Sequence, residues 1–411
     1  MTLSIGYAQS VITPSLAKPV FLAGFGQNRQ AQTIHDDLFV RALALRSQAS
    51  SPPKTLVLAA LDLIGLFRMV VLEIQNRVKA AFPDVDILLA STHTHHGPDT
   101  LGLWGPDYQT CGVDPDYIRE LIDRITATIL ASLQDLRPSG MSASSIEVPG
   151  VAKNARNPEI VDQELSCLQF KTEGEILATL LVFPCHPEVL WEHNPHITSD
   201  YPGYLRTAVE RVTQAPCLFF AGALGGMMTP DVTDHSFQEA QAMGETLAEA
   251  ALKALKKPKF GYSSSQSVNV ELLKAEFSAP ITNPIYHMAI QAGLLPNIMD
   301  ENNQITTEAN LLKIGDAWLA SVPGELLPKL GLKIKGELRR AGAGLPVVLG
   351  LTNDELGYIL PDEDFVYPEN PFQPGDHYEE TNSIGPTIGS NLLGTVQSLL
   401  TALPHQHSST D

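Results

Sequence analysis

The stretch TLVLAALDLIGLFRMVVLEIQNRVKAAFPDVDILLAST, residues 55–92, contains the pattern that decides the fold. Residues 55–65 and 85–92 are short and almost continuously apolar, which is typical of buried strands. Between them, residues 67–82 carry apolar side chains at helical spacing. Strand, helix and strand in this order predict an α/β arrangement in which a helix covers the sheet.

The same alternation continues along the chain. Further strands are predicted at residues 176–186, 217–223, 311–322 and 345–354, and helices at 114–136, 236–257 and 324–342. Strands that are apolar throughout are buried on both faces, so we predict a layered α/β protein whose mixed β-sheets are covered by helices on the outer faces. No repeat or low-complexity linker divides the sequence, and the polar, proline-rich stretch 361–380 is predicted to be a long surface loop.

The composition limits the classes of partner. The 411 residues include 27 Lys and Arg against 46 Asp and Glu, which gives a formal net charge of −19. This charge argues against nucleic acid and against anionic membrane surfaces as main partners. We find no signal-peptide pattern and no apolar stretch long enough to span a bilayer. The four cysteines are scattered, mostly in apolar runs, so we expect reduced thiols and a cytoplasmic location.

Three histidines follow the second strand of the opening stretch, in ASTHTHHGPDT at residues 90–100. On a strand, side chains two residues apart share a face, so His93 and His95 are predicted to point together, with His96 opposite. Neutral imidazole is a common zinc ligand. The alternative for so short a motif is a pair of hydrogen-bonded histidines where a strand meets a loop.

Other predicted strands also end in polar residues. His186 ends one of them, Glu325 follows another in LASVPGE, and Tyr358 lies a few residues beyond a third. Ligands collect at the carboxyl ends of strands in α/β sheets. The sequence therefore predicts a catalytic zinc site, because a structural zinc would more often use cysteines at paired spacing.

Some features have simpler interpretations. Glu325 follows a Pro-Gly turn and would also suit a helix N-terminus. Arg156 would also suit an ion pair with Asp162 or Glu164. The glycine-rich stretch 220–231 lacks the dinucleotide and Walker patterns, which favours a tight turn, and no G-x-S-x-G motif indicates a serine hydrolase of the α/β-hydrolase type.

Several motifs in sequence order resemble the neutral/alkaline (non-lysosomal) ceramidase family. They are IGYAQSVITP (5–14), AGFGQNRQAQTIHDDLFVRALAL (23–45), STHTHHGPD (91–99), NARNPEIVDQELSCLQF (154–170), HNPHITSDYPGY (193–204), FAGALGGMMTPD (220–231), PGE (323–325), TNDELGY (352–358) and YEETNSIGP (378–386). The resemblance extends over nearly the whole chain. It implies a single catalytic domain over residues 1–411, without the C-terminal β-sandwich domain of the family.

The resemblance also implies roles for particular residues. Zinc would be held by His93, His186, Glu325 and Tyr358. His95 would support the site or face the substrate and donate a proton to the leaving amine, and Arg156 would contact the substrate and, with Tyr358, stabilise the oxyanion. Thr229 would stand at the position of the essential serine of the family and orient water or substrate.

The implied activity is zinc-dependent hydrolysis of an N-acyl amide, such as ceramide or a ceramide-like lipid, to a fatty acid and an amine. The sequence departs from the family at Thr229, whose methyl group restricts its χ1, and at the apolar run GAL of residues 222–224. Two alternatives therefore stay open. One is a catalytically repurposed zinc-binding relative, and the other is a zinc esterase acting on a non-ceramide substrate.

Overall fold

A computed structural model of the chain describes residues 3–49 and 52–403. Its strands are β1 (Leu3–Val11), β2 (Thr33–Ile34), β3 (Phe39–Ser47), β4 (Lys54–Leu61), β5 (Val85–Ser91), β6 (Arg137–Glu147), β7 (Ala152–Asn154), β8 (Glu164–Thr172), β9 (Glu175–Phe183), β10 (His196–Ile197), β11 (Cys217–Ala221), β12 (Met228–Pro230), β13 (Phe260–Tyr262), β14 (Val270–Pro280), β15 (Gln304–Ile314), β16 (Ala317–Ser321), β17 (Glu325–Leu326), β18 (Leu345–Leu349) and β19 (Tyr358–Ile359). Its helices are α1 (Arg68–Ala81), α2 (Pro115–Ser132), α3 (Tyr201–Thr213), α4 (Phe237–Leu255), α5 (Pro284–Gln291), α6 (Pro328–Arg340), α7 (Tyr378–Thr381) and α8 (Ile388–Thr401).

Two mixed sheets form the centre of the molecule. The larger has the strand order β11-β9-β8-β6-β1-β3-β4-β5, with β13 also paired to β6. Its edge strands β5 and β11 contact each other, so this sheet curls back on itself. The smaller sheet has the order β14-β15-β16-β18. Within these sheets β4 and β5, β9 and β11, and β16 and β18 are parallel pairs, and the other pairs are antiparallel.

The sheets and helices form layers, as predicted. Apolar side chains from both sheets share one core, which lies between them. Helices α1 and α2 bury their apolar faces against β3, β4 and β5, while α3 and α4 cover β8, β9 and β11. Helices α6 and α8 cover the outer face of the smaller sheet. The predicted class, mixed sheets with helices on the outer faces, is therefore confirmed.

The opening stretch folds as its pattern predicts. In α1, Val71, Ile74 and Val78 are buried and lie three to four residues apart, which places them on one face of the helix. Burying each such side chain stabilises the fold by about 1.5–3 kcal/mol relative to leaving it exposed. A charge at Val78 would therefore break the packing of α1 on the sheet.

Two predicted elements are wrong in detail. Residues 311–322 are two strands rather than one, because β15 turns at Gly315 (φ 57°) and Asp316 and returns as β16. Both strands are buried, so hydrophobicity does not reveal the turn between them. The helix predicted from residue 324 begins at Pro328, since Glu325 and Leu326 form β17. Proline is well suited to the first turn of a helix.

Residues 362–377 are exposed or half-exposed and include one short 3-10 turn, Asp362–Asp364, as expected for a surface loop. The predicted loop 361–380 is wrong at its end, because α7 begins at Tyr378 and buries Glu379 and Glu380. Cys111 is exposed, and the other three cysteines are buried free thiols. In the part of the chain that the structure describes, no helix has both the length and the apolar character needed to cross a membrane.

Candidate metal centre

The three parallel strand pairs bring the predicted ligands together. His93 lies two residues after the end of β5, His186 lies three residues after β9, and Glu325 follows β16 by four residues. The main chain connects these ends, since the amide of Ser91 donates to the carbonyl of Leu351 at 3.1 Å. The predicted meeting of strand ends at one rim is thus found in the fold.

The histidines after β5 lie in a turn and not on the strand. His93 has a φ of 69°, in the left-handed region that a residue with a side chain enters at a cost. The alternation that was used to pair His93 with His95 therefore does not apply, although their rings do lie together, with centroids 5.1 Å apart. The ring of His96 faces Asn194 instead, and its Nδ1 lies 3.1 Å from the side-chain Nδ2 of Asn194.

Backbone carbonyls orient the rings of His93 and His186. Nδ1 of His93 lies 2.6 Å from the carbonyl oxygen of Ile64, and Nδ1 of His186 lies 2.9 Å from that of Met228. A carbonyl only accepts, so each Nδ1 carries a hydrogen and each Nε2 faces the centre. This is the support that metal-binding histidines usually have.

Glu325 lies opposite both Nε2 atoms. Its Oε2 is 3.0 Å from Nε2 of His186 and 3.4 Å from Nε2 of His93. Burial raises the pKa of Glu325, but the two histidines outweigh burial and lower it, so this side chain is a carboxylate. Burial lowers the pKa of His186, yet the hydrogen bond to Glu325 and nearby carboxylates raise it to about 9.

The short strands position Glu325. β17 pairs in parallel with β19, and Glu325 is the direct partner of Tyr358. Gly225, in the turn before β12, packs so close that a Cβ there would lie 2.4 Å from the carbonyl oxygen of Glu325. Glycine in this stretch serves a tight turn, as predicted, and also permits this close approach, which was not predicted. Glu325 precedes the first turn of α6, so the helix N-terminus alternative is wrong.

His95 completes a triangle of imidazoles. One nitrogen from each of His93, His95 and His186 lies within 4.8 Å of the others, and all three rings are buried. Neither nitrogen of His95 has a hydrogen-bond partner among the described residues. Burial and the neighbouring histidines hold the pKa of His95 well below its usual range, so its ring is neutral.

These donors fit a divalent metal. Two lone pairs that face a carboxylate oxygen repel it unless a positive charge lies between them. A proton on His186 supplies that charge in the metal-free protein, and a metal ion held by the two histidines and Glu325 would supply it instead. Histidines with one carboxylate are the usual protein ligands of catalytic zinc.

A cleft opens onto this centre. Its walls are Gly24, Ile64, Phe67, His93, His95, Leu101, Leu103, Trp104, Tyr286, Leu295, Glu325, Glu355, Gly357, Tyr358, Tyr378 and Asn382. A mostly apolar and aromatic wall with a few polar groups at one end is typical of a site for a small molecule. Tyr378 and Glu355 were not predicted, although each lies within a motif quoted above.

Tyr358 lies in the cleft beside the centre. Its hydroxyl is 3.3 Å from the sulfur of Met227, and its ring meets that of Tyr378 edge-on at 6.0 Å. Burial and the charge of Glu325 raise the pKa of Tyr358 well above its usual range, so the metal-free protein contains the neutral phenol. Its role as a ligand stays a prediction.

Arg156 does not line the cleft. Its guanidinium binds Glu379 at 2.7 Å and Glu380 at 2.8 Å, both in α7. The expected alternative partners, Asp162 and Glu164, instead pair with Lys335 at 2.7 and 3.2 Å, so that pairing is wrong. Because α7 begins with Tyr378, the arginine anchors one wall of the cleft.

Thr229 lies in β12, behind the histidines rather than in the cleft wall. Its hydroxyl is next to the buried Glu188, whose pKa burial raises and Thr229 lowers. Oε2 of Glu188 lies 3.2 Å from Nδ1 of His95. Sequence reasoning missed Glu188, although it stands two residues after His186 in the same strand-end motif.

The comparisons with known proteins agree with the motifs. The family model described as neutral/alkaline non-lysosomal ceramidase, N-terminal, matches residues 3–236. The neutral ceramidase of Pseudomonas aeruginosa is 26% identical over 268 residues, 58% of this chain. The aligned part spans 40% of the length of that relative.

Solved structures share the fold. The crystal structure of the P. aeruginosa neutral ceramidase matches with a TM-score of 0.77 at 20% identity, and covers 98% of this chain and 75% of that one. A ceramidase complexed with C2 matches with a TM-score of 0.77 at 19% identity, over 98% and 76% of the two chains. Since the family model matches more than half of the sequence, the chain belongs to the neutral/alkaline non-lysosomal ceramidase family.

Proposed function

We propose that this chain is a zinc-dependent amidohydrolase that cleaves ceramide or a ceramide-like lipid to a fatty acid and an amine. The observation that carries the proposal is the buried set of His93, His186 and Glu325 at the polar end of an apolar cleft. Family membership supports an amide as the bond that is cleaved.

The proposed zinc ligands are His93, His186, Glu325 and Tyr358. A zinc ion there would supply Lewis acidity towards a carbonyl oxygen and towards water. The carbonyls of Ile64 and Met228 keep the two imidazole lone pairs aimed at the ion. Tyr358 contributes its phenol oxygen from β19, the strand that pairs with β17 and positions Glu325.

The other side chains bind the substrate and move protons. The apolar wall, with Phe67, Leu101 and Trp104, accommodates the acyl chain and excludes water. His95 is neutral, and its nitrogens make no hydrogen bond of normal geometry with the described residues, so it takes a proton from the attacking water and delivers it to the leaving nitrogen. Glu188 lies beside His95 and stabilises the imidazolium that forms between these steps.

Arg156 and Thr229 act from behind the cleft in this proposal. Arg156 holds α7 through Glu379 and Glu380, and thereby keeps Tyr378 at the cleft, where its hydroxyl is available to the developing oxyanion. Thr229 keeps the Glu188 carboxylate next to His95.

The test is fatty-acid release from a short-chain ceramide by the zinc-loaded protein, with and without a chelator. We expect release that the chelator abolishes. The His93→Ala variant should lose both stoichiometric zinc and activity, whereas His193→Ala, a control at an exposed histidine, should keep both. Normal turnover by a zinc-free His93→Ala protein would contradict the proposal.

One observation favours the second candidate, a zinc-binding relative without amide turnover. Thr229, at the position of the essential serine implied by the family resemblance, contacts Glu188 and does not line the cleft. This candidate predicts bound zinc, no release from ceramide, and no gain from Thr229→Ser. An ester with the same acyl chain is assayed in parallel. Release from the ester but not from the amide would indicate a zinc esterase rather than an amidohydrolase or a relative without turnover.

A further inference from the structure

Glu355 is a buried carboxyl group in the cleft that the proposed mechanism does not use. Its side chain lines the cleft and the residue is 5% exposed. Oε1 accepts a hydrogen bond from the amide of Gly357 at 3.0 Å. Oε2 is fully buried and has no hydrogen-bond partner among the described residues. A buried polar atom without a partner destabilises the protein, so such atoms gather where a ligand completes the bonding.

The surrounding chain is shaped to admit this side chain. A Cβ on Gly65 would lie 2.7 Å from Cγ of Glu355, so a residue other than glycine there would displace it. The hydroxyl of Thr100 donates to the carbonyl of Gly65 at 2.6 Å and fixes that segment. The position of Glu355 is therefore set by contacts far apart in sequence.

No neighbour in the cleft satisfies Oε2. None of the described residues that line the cleft is Lys or Arg, so Glu355 has no counter-ion there. The nearby hydroxyl of Tyr286 lies 3.0 Å from the carbonyl oxygen of Leu356 and 3.2 Å from that of Asn382, and donates to these. Oε2 is therefore available to a polar group of a bound molecule.

We propose that Oε2 of Glu355 forms a hydrogen bond with a hydroxyl group of the substrate close to the scissile amide, and that Glu355 thereby determines specificity. The inference rests on the proposed function and deepens it. A hydroxyl both donates and accepts, so it pairs with Glu355 whether or not the carboxyl holds a proton. The hydroxyl lies close to the amide because Glu355 shares one cleft with Glu325 and Tyr358.

Two parts of an N-acyl amide could carry this hydroxyl, the amine half or the second carbon of the acyl chain. The test uses three amides of equal chain length: one with a hydroxyl on the amine half, one with a 2-hydroxyacyl chain, and one with neither. We expect the zinc-loaded protein to prefer one hydroxylated amide over the plain amide by roughly tenfold or more in kcat/KM. The preferred amide identifies the half that carries the hydroxyl.

The variants assign that preference to Glu355. In Glu355→Leu, which cannot form a hydrogen bond, the ratio of kcat/KM values should fall to about one, chiefly through a higher KM for the hydroxylated amide. Glu355→Gln keeps the shape and part of the bonding, so an intermediate ratio is expected. Glu276→Leu, at an exposed carboxylate, is the matched control and should keep the ratio of the unaltered protein. An unaltered ratio in Glu355→Leu would overturn the proposal.

A binding measurement separates this inference from the proposed function. The affinity of the metal-free protein for each amide is measured by displacement of a bound fluorescent fatty amide, an assay that requires no hydrolysis. Tighter binding of a hydroxylated amide that is lost in Glu355→Leu supports the role of Glu355 even if no amide is cleaved. Equal binding of all three amides overturns the inference. Tighter binding of an N-acyl diamine than of the hydroxylated amides also overturns it, because Glu355 would then recognise an ammonium group.

Discussion

Two buried polar clusters, one around Asp62 after β4 and one around His95 after β5, differ in how their atoms are paired. In the first, both oxygens of Asp62 bind the terminal nitrogens of Arg206, at 2.6 and 2.8 Å, although Nε of Arg206 has no hydrogen-bond partner among the described residues. In the second, His95 and Glu188 lie together without a hydrogen bond of normal geometry on either side chain within the described ranges. The closed pair stabilises the fold, while the open cluster is prepared for a ligand.

The largest effect should come from opening the closed pair. Arg206→Met leaves Asp62 buried without its counter-ion, so we expect a loss of about 3–5 kcal/mol in the free energy of unfolding. Urea denaturation measures it. Arg211→Met, at an exposed position of the same helix, is the control and should change stability by about 0.5 kcal/mol or less. Equal losses in both variants would mean that the closed pair has no special role.

The open cluster should bind metal in competition with a proton. The raised pKa of His186, about 9, means that the metal-free protein keeps this proton at neutral pH and loses it as the pH rises through 9. Zinc must displace it, so the apparent zinc affinity should rise by about tenfold per pH unit from pH 7 to 9 and then level off. Titration calorimetry in buffers of different ionisation enthalpy would detect the released proton.

Glu325→Gln is the matched variant for this pH dependence. It removes the hydrogen-bonded charge of Glu325 and leaves that of Glu188, so the slope between pH 7 and 9 should become shallower while the overall zinc affinity falls. An unchanged slope in Glu325→Gln would place the displaced proton on another group.

The smallest effect should come from filling the open cluster with an apolar side chain. His95→Leu removes two buried nitrogens that make no hydrogen bond of normal geometry within the described ranges, so the metal-free protein should gain about 1 kcal/mol of stability or lose none. His96→Leu is the comparison, because its Nδ1 is paired with Asn194 and its loss should destabilise the protein. The stability of both metal-free variants is compared by thermal unfolding. Similar losses of stability in the two variants would mean that the two rings are equally well paired.

The sequence predicted the features that depend on local pattern. Apolar runs gave the strands that end near His93 and His186, because burial on both faces leaves a continuous hydrophobic signal. The sequence did not predict the contacts of Arg156, because Glu379 lies 223 residues away and no local pattern links the two residues. The left-handed backbone of His93 and the free oxygen of Glu355 likewise depend on tertiary packing. Family resemblance supplied the roles of Tyr358 and Thr229, which periodicity does not give.

The long sequence separation within the metal centre has a consequence for synthesis on the ribosome. His186 and Glu325 are 139 residues apart, and Tyr358 and Tyr378 emerge later still. At ordinary elongation rates, on the order of ten seconds pass between the appearance of the histidines and that of Glu325. A nascent chain in that interval exposes imidazoles without the carboxylate that completes the set. Metal binding at this centre would thus be a late event, and truncated products of translation would contain the histidines without the finished centre.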